Sequence, residues 1–98
     1  MSSIITKVSD TEIKLAGYFT KDTVPDVLRA TQTVVMQSAE LTIDLQDVVQ
    51  ADSAGLALLF EWLGLAYARK HTLNFKNVPE QLLAIARASE MDTLIPVK

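Results

Sequence analysis

Residues Leu41 to Leu59, LTIDLQDVVQADSAGLALL, read as a strand that runs out through an acidic turn into a helix. Leu41-Thr42-Ile43-Asp44-Leu45 is too short for a helix and rich in strand formers, with turn-prone Gln46-Asp47 behind it. Asp52-Ser53-Ala54-Gly55 then opens a helix from Leu56 to Lys70, built of good helix formers and closed by the cationic run Arg69-Lys70-His71. Upstream, Ser3–Val8 and Thr11–Ala16 are β-branched runs joined at Ser9-Asp10, which predicts an N-terminal hairpin. After Gly17, Val24, Val27, Leu28, Val34 and Val35 follow the helical period over residues 23–37, with Pro25 where a first turn tolerates it. Downstream, Thr72–Lys76 predicts a fourth strand, Pro79–Ala88 a third helix, and Leu94-Ile95-Pro96-Val97 a last strand. The order ββαβαβαβ implies a small α/β domain with a mixed sheet of four to five strands. An antiparallel hairpin starts it, parallel strands follow, and the right-handed crossovers place the helices on one face.

The rest of the composition narrows the function. With 98 residues, 49% of them hydrophobic, the chain has room for one core, and residues 1–98 are read as a single domain. Nine Lys and Arg against twelve Asp and Glu give a net charge of −3, the wrong sign for holding a phosphate backbone, so no nucleic-acid partner is expected. The absence of Cys removes disulfides and thiolate chemistry, and a single His leaves little for a metal; neither metal nor cofactor is expected. The start MSSIITKVSD is too polar for a signal peptide, and the apolar run Ala54–Ala68 is too short to span a bilayer and is broken by Glu61. The expected location is the cytoplasm.

The turn Asp52-Ser53-Ala54-Gly55-Leu56 resembles the hallmark of the STAS domain, shared by sulphate transporters and anti-sigma factor antagonists, in which D-[ST]-[SAG]-G-[LI] follows a strand and opens a helix. Leu15-Ala16-Gly17, Ile43-Asp44-Leu45 and Leu73–Val78 extend the likeness over nearly the whole chain. Within the family, the short chain, the Leu56-Ala57-Leu58-Leu59 run and the spacing from Gly17 to Asp22 are most similar to the STAS subunits of phospholipid-asymmetry ABC transporters. That resemblance implies a regulatory clip on the cytoplasmic ATPase subunit, at the inner membrane only through the transporter and with no chemistry of its own. The resemblance to anti-sigma factor antagonists implies a kinase partner that phosphorylates the position held here by Ser53. A third reading is a small-ligand or nucleotide sensor.

Each residue also has a plainer role. Ser53 is a favoured N-cap type, and its hydroxyl would accept from a backbone N–H two or three positions on. Asp52 would favour the positive end of the helix dipole. Gly55 costs about 1 kcal/mol relative to Ala inside a first turn, so a partner or a neighbouring loop must approach closely there. One face of the helix, Leu56, Leu59, Phe60, Leu63 and Tyr67, suffices to pack on the sheet, which leaves Leu58, Trp62 and Leu65 opposite. Asp52, Ser53, Ala54, Gly55, Leu58 and Trp62 are therefore the candidate partner-binding residues, with Trp62 either the outward anchor or a residue covered by the other helices. An uncovered face would pair with itself in a homodimer of the isolated protein. No catalytic group is expected: Ser53 and His71 lie 18 positions apart along one helix, which at 1.5 Å per residue is about 27 Å.

Overall fold

The computed structural model describes residues 4–98. Its elements run β1 (Ile4–Ser9), β2 (Glu12–Phe19), α1 (Val24–Gln37), β3 (Glu40–Ala51), α2 (Ser53–Ala68), β4 (Thr72–Lys76) and α3 (Glu80–Ala88), followed by a 3₁₀ turn at Asp92–Leu94. The sequence-predicted first strand begins at Ser3, which lies outside the described residues. The strands stand in the order β1-β2-β3-β4, with β1 antiparallel to β2 and the other pairs parallel. This is the expected mixed α/β sheet, with four strands.

Strand alternation sorts the residues by face. Ile13, Leu15, Ile43, Leu45, Leu73 and Phe75 are buried under the helices, while Glu12, Lys14, Asp44 and Lys76 point to the open side. The crossovers through α1 and α2 step the same way across the sheet, so both helices lie on one face.

Three elements depart from the sequence reading. β3 runs on to Ala51 through the expected turn at Gln46-Asp47, because β2 still offers partners as far as Phe19 and Val48-Val49 favour extended backbone. The extra length is absorbed by two irregularities in the β2–β3 register, the second beside Gly17, whose φ of 114° suits glycine. The last strand shrinks to one bridge between Val97 and Phe75. Pro96 carries no N–H to donate, and the preceding residues turn in the 3₁₀ segment instead of extending.

The third departure concerns α2. Trp62 is fully buried and Leu58 is 1% exposed, so the outward anchor expected of them is overturned. α2 is covered by the sheet and by α1, and packs on α3 as well. Trp62 meets Phe19 edge-on at 5.9 Å and Phe75 at 6.2 Å, and its Nε1 donates to Thr31 Oγ1 of α1 at 2.8 Å. Tyr67, read as core, is instead 58% exposed. The outward residues of α2 are Ser53, Ala57, Glu61, Gly64, Tyr67 and Ala68.

Candidate functional site

β2 and β3 end side by side, and the parallel strands deliver two loops to one edge of the sheet: Thr20–Thr23, which leads into α1, and Asp52, which leads into α2. Asp52 N–H donates to Phe19 O at 3.1 Å, which continues the ladder by one residue. The Asp52 side chain then does two things. Oδ1 accepts from Ala54 N–H at 2.8 Å as the N-cap of α2, and Oδ2 accepts from Lys21 N–H at 3.3 Å in the neighbouring loop. Thr23 fixes that second loop, its hydroxyl donating to Tyr18 O at 2.6 Å while accepting from Thr20 N–H at 3.0 Å.

The cap expected of Ser53 is thus made by Asp52, because the helix starts at Ser53 and not beyond it. Ser53 is the first helical residue and exposed, and its hydroxyl makes no hydrogen bond to the described residues. Gly55 is buried, and the close neighbour is internal. A Cβ placed there would lie 2.9 Å from Phe19 O, 3.1 Å from Phe19 Cβ and 3.1 Å from Leu82 Cδ2. Ala54 is half-buried between them. Asp52, Ser53, Ala54 and Gly55 therefore form one compact turn, from which Leu58 and Trp62 are separated by their burial.

Two neighbours escaped the sequence reading. Val49 is 66% exposed just before the turn, at a β-branched position that strand patterning alone marks as core. Gln81, the second residue of α3, accepts from Ala51 N–H through Oε1 at 2.7 Å, a contact across 30 positions with no local signal. His71 lies beyond the far end of α2, as its spacing from Ser53 requires. Among the described residues no group of three or more His, Cys, Asp or Glu could hold a metal ion. No helix of the described residues is long and apolar enough to cross a membrane. A groove of about 290 Å³ lies at the other end of the sheet, lined by Ile5, Lys7, Ile13, Val34 and Leu41.

The same sheet with the same helices occurs in solved structures. The anti-sigma factor antagonist SpoIIAA, in its unphosphorylated form, matches with a TM-score of 0.72 over 99% of this chain and 88% of its own, at 15% sequence identity. That likeness defines the fold as the one SpoIIAA has. No curated protein matches the sequence. The family model described as "Mlab, STAS domain" matches residues 4–96, and the chain belongs to that family.

Proposed function

We propose that the protein is a non-catalytic regulatory module that docks through the Asp52–Gly55 turn on the ATPase subunit of a phospholipid-asymmetry ABC transporter. The observation that carries this reading is the division of labour at the turn: Asp52 spends both carboxylate oxygens on the fold, whereas Ser53 is exposed with its hydroxyl free for another molecule. Membership of the family described by the Mlab STAS domain supports the transporter as the setting. Small outward residues, Ser53 and Ala57, with exposed Val49 beside the turn, offer a surface that a partner can approach closely. Leu58 and Trp62 have no place in it.

Co-expression with such an ATPase subunit and affinity capture tests the reading. Ser53→Ala is expected to keep the fold but to capture it more weakly than wild type through loss of that hydroxyl, and Ser53→Asp to weaken capture further by adding charge where the partner sits. Equal capture by Ser53→Asp would remove the turn from the interface.

A second reading is a phospho-switch of the anti-sigma factor antagonist kind, with a kinase as partner and Ser53 as its acceptor. It is favoured by the same free hydroxyl, placed at the first position of α2, where the helix dipole welcomes a phosphate while Asp52 repels it. The modification would change surface potential without melting the helix. Intact mass of protein isolated from its native host, with and without phosphatase, separates the two readings.

A further inference from the structure

β3 is longer than the strand beside it. β4 pairs with Glu40–Asp44 only, so from Leu45 onward β3 has β2 on one side and, among the described residues, no strand on the other. N–H groups in a strand alternate in direction. Asp52 N–H points to β2, where Phe19 O receives it, so Ala51 N–H points to the side where β4 is missing. There the side chain of Gln81 receives it at 2.7 Å. Ala51 is 9% exposed, so without this acceptor a largely buried donor would be left unpaired. The next residue of α3, Leu82, packs at the other end of the turn, 3.1 Å from where a Gly55 Cβ would stand.

We infer that Gln81 is a positioning residue for the Asp52–Gly55 turn: its side-chain carbonyl substitutes for the absent strand and holds the end of β3, and with it Ser53, in the docking geometry. α3 thereby grips the turn on both sides, at Ala51 through a hydrogen bond and at Gly55 through packing. The docking consequence rests on the function proposed above; the hold on Ala51 does not.

Amide hydrogen exchange followed by NMR on the whole chain tests it with two variants. Gln81→Met keeps length and removes the strong acceptor, whereas Gln81→Glu keeps an acceptor at the same place. In Gln81→Met the Ala51 amide is expected to lose about two- to tenfold of its protection. Leu41–Asp44 in the β3–β4 ladder should keep theirs, and Gln81→Glu should restore Ala51. Unchanged protection at Ala51, or an equal fall across the ladder, would overturn the inference. In the capture assay, Gln81→Met should bind the ATPase subunit more weakly than wild type and Gln81→Glu should recover it. Capture that ignores both variants while Ala51 loosens would overturn the positioning role. Failure of wild type to capture anything counts against the docking reading alone, since the exchange result stands without a partner.

Discussion

Asp52 and Ser53 are adjacent, both are favoured N-cap types, and only one of them can be the cap. The choice falls on Asp52 because the ladder with β2 continues through its N–H, which leaves its φ of −126° and ψ of −165° extended while Ser53 is already helical. The two residues therefore differ in what they do for the fold: Asp52 caps and ties, while Ser53 is exposed. Asp52→Ala should lower unfolding free energy by about 0.5–2 kcal/mol through the lost cap, with some further loss from the Lys21 N–H it also holds. Ser53→Ala should stay within about 0.5 kcal/mol of wild type. Urea melts of the two variants check this, and a Ser53→Ala cost as large as that of Asp52→Ala would return the cap to Ser53. The turn itself was legible in the sequence, because Asp-Ser after a run of strand formers and before good helix formers marks a helix start. Which hydroxyl or carboxylate did the capping was not legible. That depended on where the strand stopped, and the strand stopped six residues later than the turn-prone pair Gln46-Asp47 suggested.

At the scale of the element, α2 shows why a helical wheel misleads in a small α/β domain. The period of 3.6 correctly marked Leu56, Leu59 and Leu63 as buried, but it set Leu58 and Trp62 on an opposite, outward side, and both are buried as well. A wheel has no information about a neighbour, however: Phe19 and Phe75 of the sheet meet the Trp62 ring, and α1 meets its Nε1. Trp62 is held from three sides, by Phe19, Phe75 and the Thr31 hydroxyl, which in turn donates to Val27 O at 2.8 Å. Trp62→Ala should therefore cost about 3–5 kcal/mol, a large share of the stability of a domain of this size. Thr31→Val, nearly the same in shape, should cost about 1–3 kcal/mol because it leaves the buried indole N–H without an acceptor. Denaturant melts of both variants, with near-ultraviolet circular dichroism to follow the indole, measure the two effects. A Trp62→Ala protein as stable as wild type would contradict the burial. Tyr67 looked like core by spacing and size, but it falls on the outward face of α2 with Gly64 and Ala68, next to Ala66, which is 1% exposed.

The whole molecule has two unlike faces, and the one without helices is held by charges. Across it run the rows Thr6-Lys14-Asp44-Lys76 and Glu12-Thr42-Asn74, as the strand registers dictate. Lys14 pairs with Asp47 at 3.3 Å and Lys76 with Glu12 at 3.6 Å, and among these longer side chains Thr42 and Asp44 are buried although no helix of the described residues covers them. Asp44 Oδ1 accepts from Gln46 N–H at 2.9 Å and from Asn77 Nδ2 at 3.0 Å. Asn77 follows β4 in the left-handed region, φ 56°, which asparagine tolerates better than most residues. Burial works against the Asp44 charge, but the Asn77 and Gln46 hydrogen bonds and the nearby Lys14 and Lys76 outweigh it and hold the carboxyl below its ordinary value of 3.8. A carboxyl lowered in the folded state adds stability that is fully present above its unfolded value and is lost as the pH falls through the folded one. Unfolding free energy should therefore decline as the pH drops from about 5 toward 2. Asp44→Asn keeps the acceptor oxygen for Asn77 and Gln46 but has no proton to gain. It should be less stable than wild type at neutral pH, fall less steeply in acid, and approach wild type at the lowest pH. Urea melts at unit steps of pH measure both curves, and parallel curves would mean that Asp44 titrates alike in the folded and unfolded chain.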